Sequence, residues 1–204
     1  MNSEIEKVSY IIGRQIGDDF KKQGIDVNLD HFSRGVNAAF LGEESELSEE
    51  ETANVMNAFQ AKMQEQMMRM QNEISESNKA EGLKFLEDNK KREEVQVTGS
   101  GLQYIKLESG SGKTPTVNDQ VEVHYEGTLI DGTVFDSSYK RGQTITFPVN
   151  GVIAGWTEAL LLMKEGDVFE LAIPSELAYG AQGAGNSIAP HSTLLFKVEL
   201  KKVI

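Results

Sequence analysis

The stretches that decide the fold are residues 123–138, VHYEGTLIDGTVFDSS, and residues 191–200, HSTLLFKVEL. In both, apolar and polar residues alternate, which is the period of a half-buried β-strand. The first also contains Asp131-Gly132, a pair typical of a hairpin turn. These stretches therefore predict antiparallel strands in the second half of the chain.

Further elements follow the same pattern outward. Phe169, Leu171 and Ile173 alternate in another predicted strand, and residues 145–147 form a shorter one. Only residues 155–163 are typical of a helix in this half. Strands on either side of one short helix predict an α+β domain, with an antiparallel sheet wrapped on that helix.

The composition changes near residue 95. All four prolines and 13 of the 19 glycines lie beyond it, whereas six of the seven methionines lie before it. We therefore predict an all-helical dimerisation region over residues 1–47, a long stalk helix over 48–94 and a sheet domain over 95–204. The first part of the stalk is expected to join the dimerisation core.

Three helices are predicted in the first half. Ser3 with Glu6 forms a capping box ahead of an apolar face that ends at Gly24, and a second helix is expected from about residue 28 to 41. A second capping box, Ser48 with Glu51, begins a stretch without proline that predicts one helix to about residue 91.

A methionine-rich stripe follows one face of the long helix, formed by Met56, Phe59, Met63, Met67, Met70 and Ile74. Methionine is flexible and polarizable, so the stripe could bind apolar clients as a chaperone does. An apolar stripe at helical spacing more often packs against another helix, and we favour that interpretation.

Self-association is predicted for the helical region. About 70 residues of short helices bury too little surface to be stable alone. Gly13 and Gly17 flank the apolar face of the first helix and would let another helix approach closely. We predict a homodimer through residues 1–74.

Four segments of the second half together resemble the FKBP-type peptidyl-prolyl isomerases. They are the two stretches quoted above, FPVNGVIAGW at 147–156 and LAYGAQGAG at 177–185, and they include the single tryptophan, Trp156. The layout of the first half, a dimerisation region and a stalk, looks like the macrophage infectivity potentiator subgroup of that family.

The resemblance implies a pocket between sheet and helix with the Trp156 indole as its floor. By resemblance, the catalytic residues are Tyr125, Phe135, Asp136, Trp156, Tyr179 and Phe196, and the substrate-binding residues are Arg141, Ile145, Val152, Ile153 and Ile188. The role of Asp136 stays open between catalysis and structure, because a rim aspartate is often bonded to a neighbouring Tyr or Arg. Residues Ile145 and Ala189 depart from the common family pattern, which puts drug affinity in doubt.

The implied activity is cis-trans isomerisation of X-Pro bonds in folding proteins, by binding the twisted amide in an apolar pocket. The alternative is a dimeric chaperone or a module that binds proline-containing segments with little catalysis. The expected partners are proline-containing unfolded or partly folded proteins and a macrolide inhibitor such as tacrolimus or rapamycin. No cofactor is implied.

Other features exclude further classes of function. A net charge of −12 argues against nucleic-acid binding, which depends on Lys and Arg. His31, His124 and His191 lack the spacing of a metal site. Apolar runs are too short to cross a membrane, and the acidic start does not resemble a secretory signal, so we expect a cytoplasmic protein.

Overall fold

A computed structural model of the chain describes residue 1 and residues 3–204. It divides into two compact units, Met1–Lys62 and Met63–Ile204. The second part of the long helix, from Met63, therefore belongs to the same compact unit as the sheet. The predicted division at residues 47 and 94 concerns independently folding regions and stays a prediction.

The three expected helices are confirmed as α1 (Glu4–Lys22), α2 (Leu29–Leu41) and α3 (Glu49–Asn89). Each begins at a side-chain cap. The Ser3–Glu6 capping box is formed at α1, Asn28 accepts hydrogen bonds from two backbone N–H groups at α2, and the Ser48 hydroxyl accepts one from Glu51 at α3. These caps satisfy N–H groups that have no partner inside a helix.

The first two helices have no core of their own. None of residues 4–22 of α1 or 29–41 of α2 is buried in the described chain. One aromatic contact, between Phe20 and Phe32 with ring centroids 5.4 Å apart, brings the two helices together. Large apolar side chains stay in solvent, and Phe40 is 89% exposed.

The methionine stripe of α3 is not covered by its own chain. Met67 and Met70 are both more than half exposed. Among the described residues of α3, Gly82 alone is buried. Packing of the stripe against another helix therefore stays a prediction.

The second unit is a seven-stranded antiparallel sheet. Its strands are β1 (Gln96–Val97), β2 (Gln103–Glu108), β3 (Gln120–Leu129), β4 (Val134–Ser137), β5 (Ile145–Pro148), β6 (Val168–Ile173) and β7 (Leu194–Val203). The order is β1-β2-β6-β7-β3-β4, and β5 pairs with residues 120–123 at the start of β3, whereas β4 pairs with residues 126–128. The expected α+β architecture is confirmed.

A short helix packs on one face of this sheet. Helix α5 (Ala154–Leu162) buries Trp156, Ala159 and Leu160 against apolar residues of the central strands. Gly155 permits the close approach, because a Cβ there would lie 2.5 Å from Ile173 Cγ2. A one-turn helix, α4 (Ser138–Arg141), follows β4.

The sequence prediction omitted β1 and β2, and it indicated β4 only through the hairpin turn at Asp131-Gly132, without bounds. Strand β2 has the polar Gln103 at a buried position, so apolar alternation does not show it. Strands β1 and β4 have only two and four residues, too few for a period to appear.

Within the described part of the chain, no helix has both the length and the apolar character that crossing a bilayer needs.

Candidate active site

A pocket of about 450 Å³ opens beside the start of α5. Its walls come from four strands, the loop before α5 and the loop after β6. The lining residues are Tyr125, Phe135, Asp136, Phe147, Gly151, Val152, Ile153, Trp156, Tyr179 and Phe196. Aromatic and aliphatic side chains dominate, which is typical of a small-molecule or peptide site.

The Trp156 indole is held rigidly at the base of the pocket. It is 4% exposed and makes edge-to-face contacts with Tyr125, Phe196 and Phe147, at centroid distances of 5.1, 5.3 and 5.9 Å. Such contacts are favoured by the charge distribution of aromatic rings. The indole Nε1 is buried and has no hydrogen-bond partner in the described chain. Trp156 thus contributes shape and dryness to the site.

One glycine makes room for two of the wall rings. Phe135 and Phe196 contact edge to face, with centroids 5.5 Å apart, and both lie over the backbone of Gly127. A Cβ at Gly127 would lie 2.6 Å from Phe135 Cζ and 2.7 Å from Phe196 Cε1. Any larger residue would displace these rings.

A polar cluster forms the rim. The Tyr125 hydroxyl and the Arg141 guanidinium both donate to the Asp136 carboxylate, and Arg141 Nη2 also donates to the Tyr125 hydroxyl at 3.1 Å. The Arg141 guanidinium also lies 5.7 Å from the centroid of the Tyr125 ring. The Asp136 carboxylate is therefore engaged by two protein donors.

These contacts shift the rim pKa values in a consistent direction. Burial by itself would raise the pKa of Asp136, but the hydrogen bonds from Tyr125 and Arg141 outweigh it and the net pKa is lowered. Burial, reinforced by the Asp136 hydrogen bond, raises the pKa of Tyr125. Asp136 is thus an anion and Tyr125 a neutral donor near neutral pH.

Two groups can bond a ligand at the mouth of the pocket. The Tyr179 side chain lines the pocket and is 41% exposed. In the described chain no acceptor is in hydrogen-bonding geometry with the Ile153 N–H, whereas the Ile153 carbonyl accepts from Trp156 N at 2.9 Å. Tyr179, which carries a hydroxyl, and Ile153, whose N–H has no acceptor in the described chain, thus line the same pocket.

The structure brings together eight of the eleven residues predicted for the site. Arg141 lies at the rim, where it donates hydrogen bonds to Asp136 and to the Tyr125 hydroxyl. Ile145 and Ile188 do not line the pocket, because Ile145 packs against the core from β5 and Ile188 belongs to the core itself. Their role as substrate contacts stays a prediction.

Sequence analysis assigned no site role to Phe147, Gly151 or Gly127. Phe147 lies two residues after Ile145, so both are on the same face of β5, and Phe147 is closer in sequence to Trp156. This position is a signal that could have identified it. The positions of Gly127 and Gly151 depend on three-dimensional packing and leave no local signal.

The chemistry available here excludes several mechanisms. No serine, cysteine or lysine nucleophile lines the pocket. Among the described residues, no three His, Asp or Glu side chains are grouped as a metal site. The arrangement can bind an apolar ring and a peptide backbone, and it can do so away from water.

Comparison with known proteins finds a matching family for each half of the chain. Residues 111–201 match the family described as FKBP-type peptidyl-prolyl cis-trans isomerase, and residues 5–105 match the domain amino-terminal to that isomerase. Together the two matches cover both halves of the chain.

Individual relatives match over nearly the whole length. The outer membrane protein MIP of Legionella longbeachae is 43% identical over 100% of this chain and 87% of that protein. The FKBP-type 22 kDa peptidyl-prolyl cis-trans isomerase of Escherichia coli is 43% identical over 97% of this chain and 95% of its own. The crystal structure of FkpA from Escherichia coli superposes with a TM-score of 0.81 at 37% identity, over 100% of this chain and 98% of that one.

Proposed function

This chain belongs to the family of FKBP-type peptidyl-prolyl cis-trans isomerases, and we propose that its Trp156 pocket accelerates rotation about X-Pro bonds in folding proteins. The observation that supports this most strongly is the aromatic pocket, whose described lining contains no nucleophile. Rotation about an amide bond needs no covalent chemistry, so a pocket of this kind suits the reaction.

The barrier arises from amide resonance. An X-Pro bond rotates over about 18–20 kcal/mol because the double-bond character is lost in the twisted state. The twisted amide is less polar than the planar one, so it loses less hydration when it enters an apolar pocket. Binding the twisted state more tightly than the planar state lowers the barrier, at about 1.36 kcal/mol for each factor of ten in rate.

The pocket residues have distinct roles in this proposal. Trp156, Phe135 and Phe196 enclose the prolyl ring. The Tyr179 hydroxyl and the Ile153 N–H bond the peptide backbone. Asp136 holds Tyr125 and Arg141 in place. The alternative role, in which the Asp136 charge acts on the twisted amide, requires that turnover depend on that charge.

Turnover of a short X-Pro peptide by the full chain tests the activity. The matched variants are Trp156→Ala and Tyr179→Phe, which remove the floor and one hydroxyl. We expect rapid turnover by the wild type, a large loss in Trp156→Ala and a smaller one in Tyr179→Phe. A folded wild type without turnover would contradict the proposal.

We also propose that two copies associate through residues 1–74. The exposed apolar side chains of α1, α2 and the methionine stripe support this, because a chain without a local core gains most by covering them with a second copy. Light scattering at micromolar concentration is expected to give the mass of two chains, and a monomer would contradict it.

A second candidate function is a chaperone or binding module for proline-containing segments. The observation in its favour is the exposed apolar surface of the helical unit, beyond the isomerase pocket. Two sites in one dimer would also raise the effective concentration of a bound client. Suppression of aggregation by a Trp156→Ala variant without turnover would support this function as a separate one.

A macrolide such as tacrolimus or rapamycin is the proposed inhibitor of the pocket. The aromatic walls and the two bonding groups at the mouth suit such a ligand. Inhibition of peptide turnover by tacrolimus in the wild type checks this, and full turnover at saturating drug would contradict it.

A cytoplasmic location is likewise a proposal, and one relative is called an outer membrane protein. Fractionation of the native cells against cytosolic and membrane markers decides the location.

A further inference from the structure

The last turns of α3 contact a turn that follows the pocket loop. Gly82 of α3 faces Thr193, and a Cβ at Gly82 would lie 2.4 Å from Thr193 Oγ1. Both residues belong to the compact unit Met63–Ile204. A backbone approach this close fixes the helix against residues 190–193.

A side chain of α3 bonds the same turn. Asn78 Nδ2 donates to the Pro190 carbonyl oxygen at 2.8 Å, across 112 positions of sequence. Asn78 is partly buried, so the bond is sheltered from water. An amide donor on a rigid helix is thereby fixed to one carbonyl of the turn.

The turn has a conformation that needs support. His191 has a φ of 57°, in the left-handed region that residues other than glycine rarely adopt. It is the non-glycine residue with positive φ among those described. The surrounding bonds are Asn78 to Pro190 on one side and the Ser192 hydroxyl to the Ala189 carbonyl, at 2.8 Å, on the other.

The 190–193 turn is also bonded to the loop that carries Tyr179. The His191 N–H donates to the Gly180 carbonyl at 2.8 Å. Gly180 directly follows Tyr179, whose side chain lines the pocket. The contacts thus run without interruption from Asn78 through Pro190, His191 and Gly180 to Tyr179.

We infer that Asn78 of the long helix is a positioning residue for the isomerase site, acting through the 190–193 turn on Tyr179. The inference rests on the proposed function, in which the Tyr179 hydroxyl bonds the peptide. It makes the end of α3 a working part of the pocket. The helix is then more than a spacer between two units.

The expected kinetic effect follows from the role of Tyr179. Without the Asn78 amide, the Pro190 carbonyl loses its donor and the left-handed turn loses one of its supports. The Tyr179 hydroxyl then spends less time at its bonding position. Since it bonds the peptide in both planar and twisted states, the loss is expected mainly in KM.

The chain offers a matched control on the same helix. Asn89 Nδ2 donates to Gln103 Oε1 at 2.9 Å, also between α3 and the sheet. Asn89 has no bond to residues 180–193 among the described residues. Asn78→Ala removes one side-chain hydrogen bond and Asn89→Ala removes two, the second being the bond that Asn89 Oδ1 accepts from Arg92 Nη1 at 3.2 Å. Only Asn78→Ala removes support from the loop.

The experiment compares the full chain with these two variants, with Tyr179→Phe and with the Asn78→Ala/Tyr179→Phe double variant. We expect Asn78→Ala to lower kcat/KM about fivefold through KM, the size of one lost hydrogen bond, and Asn89→Ala to leave it unchanged. The double variant is expected to be no worse than Tyr179→Phe, because the two changes act on one group.

A second measurement does not depend on turnover. Hydrogen exchange of the His191 amide is expected to speed up in Asn78→Ala and to stay unchanged in Asn89→Ala. If Asn78→Ala does not fold, Asn78→Asp keeps the side-chain shape and replaces the donor, and it is expected to raise KM at least as much.

The outcomes separate the inference from the proposed function. Equal KM and equal exchange in the Asn78 and Asn89 variants, or additive losses in the double variant, would overturn the inference while the wild type remains active. A wild type without turnover would overturn the proposed function, and the exchange measurement would still decide whether Asn78 holds the turn.

Discussion

The two units of this chain differ in what covers their apolar residues. In Met63–Ile204 the sheet and α5 enclose a core within the one chain, where Leu160 and Phe169 are each 1% exposed, and the exposed Met67 and Met70 lie outside that core. In Met1–Lys62, Ile5 and Phe40 point into solvent, at 75% and 89% exposure. Met63–Ile204 thus encloses a core within one chain, whereas α1 and α2 of Met1–Lys62 have no buried residue.

Glycines show the same contrast. A Cβ at Gly127 or Gly155 of the isomerase unit would meet a neighbouring side chain at less than 3 Å. A Cβ at Gly13 or Gly17 of α1 would meet nothing within 4 Å. Gly13 and Gly17 thus leave the backbone of α1 open to the proposed second copy. We therefore expect catalysis and assembly to be separable in this chain.

The largest expected effect comes from adding a side chain at a closely packed glycine of Met63–Ile204. Gly127→Val would push the Phe135 and Phe196 rings into the pocket. We expect peptide turnover to fall about tenfold or more and the isomerase unit to lose about 1–3 kcal/mol of unfolding free energy. Turnover assays and denaturant unfolding followed by circular dichroism measure both.

Gly99→Val is the matched control, because its Cβ would meet nothing within 4 Å. It is expected to retain wild-type turnover. A Gly127→Val variant that turned over as fast as Gly99→Val would show that the two rings are not fixed parts of the site.

The next effect is on assembly alone. Ile12 is 50% exposed on the apolar face of α1, so Ile12→Asp places a charge in the proposed dimer surface. We expect light scattering to report one chain instead of two, with turnover per chain unchanged. Arg14→Glu adds more negative charge on the opposite face of the helix and is expected to leave the dimer intact. Equal behaviour of the two variants would argue against this surface.

A smaller effect concerns the rim and its dependence on pH. The lowered pKa of Asp136 means that its carboxylate stabilises the fold above the unfolded value of about 3.9, and that this is lost as pH falls through the folded value. The unfolding free-energy difference between wild type and Asp136→Asn should therefore be constant near neutral pH and shrink below about pH 4.

Turnover by the same variant decides what Asp136 does. If Asp136 is structural, Asp136→Asn keeps its turnover on a short peptide at neutral pH. A fall in kcat with unchanged KM would place its charge in the mechanism. A stability difference that did not change with pH would mean that the ion pair with Arg141 is not maintained in solution.

The smallest effect is on the free energy of unfolding at alkaline pH, and it also concerns the unit Met63–Ile204. Burial, with Glu199 nearby, raises the pKa of Tyr139 to about 12. A raised pKa contributes stability below the unfolded value of about 10, and this is lost as pH rises toward the folded value. Tyr139→Phe is expected to lose less stability between these limits, by denaturant unfolding. An identical pH profile in both proteins would contradict the assigned environment.

Local patterns were sufficient for the elements that carry their own signal. Alternation at Val121, Val123 and Tyr125 predicted β3, and the Ser48–Glu51 box predicted the start of α3 within one residue. The site residues came from the resemblance, which predicted most of the pocket lining. These features are encoded in neighbouring residues or in spaced motifs.

Long-range contacts could not be predicted in the same way. The bond from Asn78 to Pro190 joins residues 112 positions apart, and neither residue stands out in its own segment. Gln103 is buried because its amide donates to the Leu86 carbonyl of α3, which no strand period indicates. Phe147 was predicted only as part of a short strand, because alternation alone does not show which strand residues line a pocket.

The most direct test of the central claim follows turnover per chain while the protein is diluted across its association. Light scattering reports the mass, and isomerisation of a short X-Pro peptide reports the activity of the same samples. Our account predicts that the mass falls from two chains to one while turnover per chain stays constant. Turnover that falls together with the mass, or that is absent from the folded dimer, would contradict it.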